Sequence, residues 1–383
     1  MLKKVCILGA TGSIGESCLS VIDSLRDRFT VCALSACKKA EKLLAAARAC
    51  GAGHICLAQA DALEGIDPGR LDGLELHLGR EALSELAALA EVDIVVNALV
   101  GGVGLAPSLR ALEEGKRLAL ANKESLVMAG PRLLGLAASS RTAQIIPVDS
   151  EHSALFQLVK DQPEKTLEKV IITASGGPFR GYGRKRLETV SFSDSLNHPT
   201  WSMGPKITVD SATLANKGLE VIEAHFLFGL GYENIEVLVH PQSIVHGMAV
   251  FNDGTVLGHM GVPDMRIPIQ YALTYPERLV GSVPAPDFAA IGSLTFEPVD
   301  RESFPCLGLA YEAGMQAGVA TAVYNAANEV AVERFSREEI RFTRIADIIE
   351  KTLAAAEKID DPSLEQILQA DKWARDFAGR LGA

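Results

Sequence analysis

Basic side chains are few in this chain, where 37 Lys and Arg stand against 48 Asp and Glu and give a net charge of −11. A duplex-binding surface concentrates Lys and Arg, so this balance argues against a nucleic-acid partner. Long apolar runs are lacking too. The longest uncharged stretch, 94–109, is interrupted by glycines and a proline, which excludes a membrane span. The chain opens on a strand pattern rather than an apolar signal segment, so we expect a cytoplasmic protein.

Paired cysteines are also missing. The chain has 7 cysteines, an odd number, and none of them forms a C-x-x-C pair. Six precede Leu57; of these, Cys6 and Cys32 lie in strand-like runs and Cys18 on a helix-like face. We therefore expect small buried side chains in a reducing compartment, with neither disulfides nor a structural zinc.

What the chain does have is a regular alternation of short apolar strands and helices in its first half. This order is typical of βαβ units and predicts a doubly wound parallel sheet, with its ligand at the carboxyl ends of the strands. The predicted strands are 5–8, 29–35, 54–57, 93–98, 117–121 and 143–148, and the predicted helices are 13–24, 39–50, 104–114 and 124–138.

The pattern changes after Glu168. Strand-like runs at 170–174, 235–239, 244–251 and 255–260 follow one another more closely, and "NDG" between the last two indicates a hairpin. We expect an α/β protein with a dinucleotide-binding domain at 1–149, an α+β catalytic domain at 150–275, a Pro- and Gly-rich linker at 276–300 and a helical domain at 301–383.

The turn after the first strand reads "GATGSIG", from Gly9 to Gly15. Glycines at this point let the backbone approach a pyrophosphate, and the helix that follows favours negative charge at its start. A tight turn without a ligand is the alternative. Where an NAD enzyme places an acid after the second strand, this chain has Lys38 and Lys39, which would attract a 2′-phosphate and favour NADP.

A second polar stretch, "PVDSEH", ends the last predicted strand of the first half with Asp149, Ser150, Glu151 and His152. Asp and Ser are good helix caps and Glu suits a first turn, so a structural role explains these residues as well as a chemical one does.

Two further motifs lie in the second half. "SGGPFR" offers free backbone N–H groups and a hydroxyl to a phosphate. The run "HPTWSMGPK" has prolines near both ends and predicts a lid over about 197–207, although an ordinary loop with a buried Trp fits too. If Asp210 or Ser211 caps a helix, then Asn216, Lys217 and Glu220 share one face; a surface Lys–Glu pair is the alternative.

These motifs, together with "ANKESLV", "VDSATLANKGLEVIEA", "HPQSIVHGM", "PDMRIPIQYAL" and "NAANEV", closely resemble the 1-deoxy-D-xylulose 5-phosphate reductoisomerase family, in the same order along essentially the whole chain. The resemblance implies an NADPH-dependent oxidoreductase that isomerises 1-deoxy-D-xylulose 5-phosphate and reduces it to 2-C-methyl-D-erythritol 4-phosphate, in the non-mevalonate route of isoprenoid biosynthesis. It also implies a requirement for Mg²⁺ or Mn²⁺ and a homodimer.

The resemblance implies roles for particular residues as well. The metal ligands are Asp149, Glu151 and Glu220, and the catalytic set adds Lys123 and His198. The substrate contacts are Lys123, Ser150, Glu151, Ser175, His198, Ser211, Asn216, Lys217 and Glu220. The NADPH contacts are Thr11, Gly12, Ser13, Ile14, Cys37, Lys38, Lys39, Asn122, Glu124 and Gly204. Cys37 and Lys39 depart from the family, in which Gly and Asn are common there. We expect His152, His240 and His246 to be structural.

Two rival functions stay open at this point. One is an NADP-dependent sugar-phosphate dehydrogenase that does not isomerise its substrate and needs no three-carboxylate metal site. The other is a regulator that binds NADPH without turnover.

Overall fold

The structure is a computed structural model that describes residues 2–163 and 165–382. Its first seven strands are β1 Lys3–Leu8, β2 Phe29–Ala36, β3 His54–Leu57, β4 Glu75–Leu78, β5 Ile94–Asn97, β6 Arg117–Leu120 and β7 Gln144–Pro147. The helices of this half are α1 Ser13–Ser24, α2 Ala40–Cys50, α3 Ala82–Ala88, α4 Leu105–Glu113, α5 Lys123–Ser139 and α6 Ser150–Val159.

The remaining strands are β8 Leu167–Ala174, β9 Ile235–Val239, β10 Val245–Phe251, β11 Val256–Met260 and β12 Glu297–Pro298. The helices here are α7 Arg184–Leu187, α8 Phe192–Ser195, α9 Pro205–Thr213, α10 Ala215–Phe228, α11 Arg266–Thr274, α12 Phe288–Ile291, α13 Cys306–Gln316, α14 Ala320–Ser336, α15 Arg344–Ala355 and α16 Leu364–Arg380.

Residue contacts group the chain into two compact units. Unit 1 comprises Met1–Ser125, Pro131–Ser153 and Asp264–Pro284, and unit 2 comprises Leu126–Gly130, Ala154–Pro263 and Ala285–Ala383. The domain boundaries that we expect from the sequence stay a prediction. In the part of the chain that the structure describes, no helix is both long and apolar enough to cross a membrane.

Unit 1 is built on a seven-stranded sheet in the order β4-β3-β2-β1-β5-β6-β7, with every neighbouring pair parallel. Strands of such a sheet are covered on both faces, which explains why β1 ends in the continuous apolar run from Val5 to Leu8, all of it fully buried. The strand order reverses between β1 and β5, and this switch point is where doubly wound sheets bind ligands. The predicted fold class is therefore confirmed.

Unit 2 contains a mixed sheet in the order β11-β10-β8-β9-β12, in which β8 and β9 are parallel and the other pairs antiparallel. The hairpin predicted at "NDG" joins β10 to β11, and Gly254 takes a φ of +83° there. The helices α13 to α15 share one apolar core with this sheet and with α10. Gly218 is required in that core because an added Cβ would lie 2.6 Å from the Ala310 Cβ.

Several expectations from the sequence need correction. Neither β4 nor α3 was predicted, and the expected linker at 276–300 contains α12 and β12. No helix begins at Asp210 or Ser211, because both lie inside α9. The next helix, α10, begins only after Leu214, whose φ of 61° breaks the helical path.

Candidate functional site

The glycine turn lies at the switch point of the unit 1 sheet. Gly9 has a φ of +86° and its N–H donates to the Ser35 Oγ at 3.0 Å. An added Cβ at Gly15 would lie 2.4 Å from the Gly9 carbonyl oxygen, so only glycine lets α1 pack this close to the turn. Gly12, at the exposed N-cap of α1, leaves the first N–H groups of the helix open to an anion.

The loop after β5 lies next to this turn, and no sequence motif indicated that it would. An added Cβ at Gly9 would lie 2.7 Å from the Ala98 carbonyl oxygen, which shows how close the two segments come. Asn122 donates from Nδ2 to the carbonyl oxygens of Leu99 at 3.0 Å and Gly101 at 2.9 Å. The Glu124 carboxylate accepts the Gly101 N–H at 3.0 Å. Asn122 and Glu124 therefore position this loop, and their direct contact with a dinucleotide stays a prediction.

The residues that we expect at the adenosine end are accessible. Cys37, Lys38 and Lys39 are exposed between β2 and α2, and Lys39 is the N-cap of that helix. Lys42, one turn further on, donates to the Thr11 carbonyl oxygen at 3.4 Å. Lys42 is thus a further basic group at the glycine turn that the motif alone did not indicate.

Asp149 lies two residues after the end of β7 and accepts hydrogen bonds from several donors. The Lys123 Nζ is 2.5 Å from its Oδ2, and the His152 Nδ1 is 3.1 Å from its Oδ1. The Glu151 N–H also donates to Oδ1, at 3.3 Å, as a helix cap would. The Ser150 hydroxyl donates to the Glu151 carboxylate at 2.5 Å. Asp149 thus caps α6 through one oxygen and meets a buried ammonium through the other, so the helix-cap interpretation of "PVDSEH" applies and its chemical role stays a prediction.

In unit 2 two of the predicted phosphate residues, Ser175 and Ser211, contact His198. Its Nε2 is 2.9 Å from the Ser175 Oγ and 3.2 Å from the Ser211 Oγ. Its Nδ1 accepts the Trp201 N–H at 2.9 Å, so the ring proton lies on Nε2 and points to the serines. Burial lowers the pKa of His198 to about 4, which keeps the ring neutral at pH 7. Ser175 Oγ also accepts the Gly177 N–H at 3.1 Å, which leaves its hydroxyl hydrogen for an anion.

The polar face predicted on α10 is present. Asn216 donates from Nδ2 to the Glu220 Oε1 at 2.5 Å, and the Lys217 ammonium pairs with the other oxygen of the same carboxylate. Lys217 and Glu220 are 4% and 1% exposed, so this is a buried pair and not the surface pair considered as an alternative.

Asp210, which the sequence suggested only as a possible helix cap, is a buried carboxylate on α9. The Lys206 ammonium lies 2.9 Å from the Asp210 Oδ2, and Asn328 on α14 donates to the Asp210 Oδ1 at 2.9 Å. Asp210 therefore pairs with Lys206 within α9 and connects this helix to α14. The "VDSAT" and "NAAN" motifs carry these two residues, but their contact spans 118 positions and no local pattern reveals it.

Within the predicted lid, residues 198–204 form neither helix nor strand. Helix α9 begins at Pro205, because Gly204 is its N-cap and Pro is favoured at the first helical position. The three positions 205–207 are thus helical. His240 and His246 are buried and bond the carbonyl oxygens of Thr295 at 2.8 Å and Gly261 at 3.2 Å, as structural histidines do.

A doubly wound parallel sheet with a glycine turn at its switch point is the architecture of dinucleotide-dependent oxidoreductases. Three family models match the chain. One described as 1-deoxy-D-xylulose 5-phosphate reductoisomerase matches residues 5–130, the C-terminal domain of the same name matches 145–228, and the DXP reductoisomerase C-terminal domain matches 260–377.

Individual proteins agree with these models. The 1-deoxy-D-xylulose 5-phosphate reductoisomerase of Pelotomaculum thermopropionicum is 47% identical over 382 residues, which are 99% of this chain and 98% of that protein. The enzyme from Zymomonas mobilis in complex with NADPH aligns with a TM-score of 0.90 at 40% identity, over 99% of this chain and 98% of the other. A DOX-P reductoisomerase in complex with NADPH, fosmidomycin and magnesium aligns at 0.91 and 39% identity, over 98% and 97%. The chain belongs to the 1-deoxy-D-xylulose 5-phosphate reductoisomerase family.

Proposed function

We propose that this protein uses NADPH and a divalent metal ion to convert 1-deoxy-D-xylulose 5-phosphate into 2-C-methyl-D-erythritol 4-phosphate. The observation that carries the proposal is the match over 98% of the chain to a reductoisomerase solved with NADPH, fosmidomycin and magnesium. The local geometry adds two independent supports, the dinucleotide turn of unit 1 and the anion pocket of unit 2.

The unit 1 residues fit NADPH. Gly9 and Gly15 leave no space for a Cβ, and the exposed start of α1 offers N–H groups to a pyrophosphate. Lys38 and Lys39 supply charge for a 2′-phosphate. NADPH would supply the reducing equivalent, and the segments after the carboxyl ends of β1 and β5 would hold it, with the loop that Asn122 secures beside it.

The carboxylates fit a hard divalent cation. We propose Asp149, Glu151 and Glu220 as ligands of Mg²⁺ or Mn²⁺, since carboxylate oxygens are the donors that these ions prefer. A metal ion held there would polarise the substrate carbonyl. His152 orients Asp149 through Oδ1, and the Lys123 ammonium offsets its charge at Oδ2 while it can donate to a substrate oxygen.

The unit 2 pocket fits the phosphate of the substrate. The neutral His198 donates from Nε2 toward the serines, so the hydroxyl hydrogen of Ser175 can point to a phosphate oxygen. Lys217 adds a positive charge from a buried position, where a charge-assisted hydrogen bond gains most. His198 thus orients the serine hydroxyls. We propose that Ser211 and Asn216 also contact the substrate phosphate.

One assay tests the proposal. NADPH absorbance should fall when 1-deoxy-D-xylulose 5-phosphate and Mg²⁺ are both present, and the product should be the branched polyol phosphate. Turnover that persists after chelation of the metal would point to a simple dehydrogenase. NADPH binding without turnover would point to a regulator.

We also propose a homodimer in the cytoplasm, with the cofactor on residues 1–149, catalysis on 150–275 and the lid at about 197–207. Family resemblance supports the dimer. Sedimentation of the purified chain tests the oligomeric state directly.

A further inference from the structure

A cluster of histidines and carboxylates lies at the far side of the unit 1 sheet from Asp149. Strands β3 and β4 pair in parallel, with His54 opposite Glu75 and Cys56 opposite His77. This register brings His54 and His77 together, with His54 Nδ1 3.3 Å from His77 Nε2. Their side chains are 18% and 12% exposed, so both are largely shielded from water yet reachable from it.

A carboxylate faces each side of the imidazole pair. Glu75 lies on the inner side, with Oε2 3.4 Å from His54 Nδ1 and Oε1 3.5 Å from His77 Nε2. On the outer side, Glu91 Oε1 is 3.3 Å from His54 Nε2, and Glu85 Oε2 is 3.7 Å from His77 Nδ1.

The outer carboxylates, Glu91 and Glu85, favour one tautomer of each imidazole ring. If His54 donates from Nε2 to Glu91 and His77 from Nδ1 toward Glu85, both neutral rings turn a lone pair inward. Two lone pairs would then face each other across 3.3 Å, with the Glu75 carboxylate beside them. A cation bound between the two nitrogens would remove the repulsion between these lone pairs. Metal-bound histidines usually have an outer carboxylate of this kind, which fixes the tautomer and strengthens the ligand.

The spacing of the inner atoms fits such a cation. Ligands at about 2.0–2.1 Å from a tetrahedral Zn²⁺ are about 3.3–3.4 Å apart. The nitrogen–nitrogen distance of 3.3 Å and the nitrogen–oxygen distance of 3.4 Å agree with that spacing. Two imidazoles and one carboxylate form a donor set for Zn²⁺, Co²⁺, Ni²⁺ or Cu²⁺ and not for Mg²⁺, which prefers oxygen.

We propose that His54, His77 and Glu75 bind a transition-metal ion of the zinc type, with water as the fourth ligand. None of the seven cysteines belongs to a group of possible metal ligands among the described residues. The ion would tie β4, a four-residue edge strand, to β3 and stabilise unit 1. His54 and Glu75 begin β3 and β4, whereas the glycine turn follows the carboxyl end of β1, so occupation of the site is separate from catalysis.

Cobalt titration of the metal-free full chain tests this, in excess Mg²⁺ so that the carboxylates of the active site are occupied. A tetrahedral nitrogen-containing site gives Co²⁺ a strong visible absorption, whereas an oxygen-only octahedral site gives a weak one. We expect one strongly absorbing Co²⁺ per chain, displaced by Zn²⁺, and a higher melting temperature with Zn²⁺. His54→Gln and His77→Gln should weaken binding at least tenfold and leave Mg²⁺-dependent NADPH oxidation unchanged.

The exposed Glu75 provides a variant with little risk to folding. Glu75→Gln should weaken Co²⁺ binding several-fold, and Glu81→Gln, which changes another exposed acid before α3, should not. Strong absorption that survives in His77→Gln, or no Co²⁺ bound in the presence of Mg²⁺, would overturn the proposal. An effect of Glu81→Gln equal to that of Glu75→Gln would also overturn it, because general surface charge would then explain the binding.

Discussion

Replacement of Lys217 by Met tests the phosphate pocket in the most quantitative way. Lys217 is 4% exposed and its ammonium pairs with the Glu220 carboxylate, so Met keeps most of the apolar side chain and removes the ammonium with its charge and its hydrogen-bond donors. A charge-assisted hydrogen bond to the substrate phosphate is worth about 1.5–3 kcal/mol. Since about 1.4 kcal/mol is tenfold, the KM for 1-deoxy-D-xylulose 5-phosphate should rise about tenfold to 150-fold.

The same change costs stability, which has to be separated from binding. Loss of one partner of a buried pair costs about 3 kcal/mol, although Asn216 still donates to Glu220 at 2.5 Å. Lys169→Met is the matched control, because Lys169 pairs with Glu236 at 2.7 Å with 37% of its side chain exposed. Lys169→Met should lower the free energy of unfolding by about 0–1 kcal/mol and leave the KM for 1-deoxy-D-xylulose 5-phosphate unchanged.

Steady-state kinetics with the phosphorylated sugar and with 1-deoxy-D-xylulose isolate the contact. The Met variant should lose kcat/KM for the phosphorylated sugar only, because the other substrate has no phosphate to bind. Equal losses on both substrates, or a KM equal to that of the unmodified protein, would remove Lys217 from the pocket.

Three further predictions concern cofactor preference, the glycine turn and His246. Joint replacement of Lys38 and Lys39 by Ala should weaken NADPH binding much more than NADH binding in fluorescence titrations; equal use of both cofactors by the unmodified protein would refute the preference. Gly15→Ala places a Cβ 2.4 Å from a backbone oxygen, so it should cost about 1–3 kcal/mol and lower NADPH affinity, whereas Gly53→Ala, with nothing within 4 Å, should do neither. Burial lowers the pKa of His246 from 6.5 to about 4, so the unfolded chain binds more protons in that window and stability falls as the pH drops through it. His246→Gln should flatten this loss in melts between pH 6.5 and 4, and an unchanged slope would contradict the assignment.

The main sheet was predictable because its strands are buried on both faces and read as continuous apolar runs. Strand β4 was not, since "ELHL" is four residues long, lies at the edge and alternates polar with apolar side chains. That strand carries Glu75 and His77, so the cluster beside His54 could not be predicted either. The break between α9 and α10 was equally hidden, because it depends on a positive φ at Leu214, where no Gly or Pro marks it.

Site residues within one motif were easier to predict than their supports. The shared face of Asn216, Lys217 and Glu220 follows from helical spacing, and the structure contains it. The loop held by Asn122 lies some twenty positions earlier in the chain, and Asp210 meets Asn328 across 118 positions. Such contacts depend on tertiary packing, which local patterns do not encode.

The most direct test of the central claim is Mg²⁺-dependent turnover of 1-deoxy-D-xylulose 5-phosphate by Asp149→Asn. Asn caps a helix about as well as Asp, so the bond from the Glu151 N–H and the fold should survive. The charge that a metal and Lys123 require is lost, so turnover and Mg²⁺ affinity should fall by orders of magnitude while NADPH binding persists. If the variant keeps the turnover and Mg²⁺ affinity of the unmodified protein, Asp149 is only a helix cap and the metal-dependent mechanism is wrong.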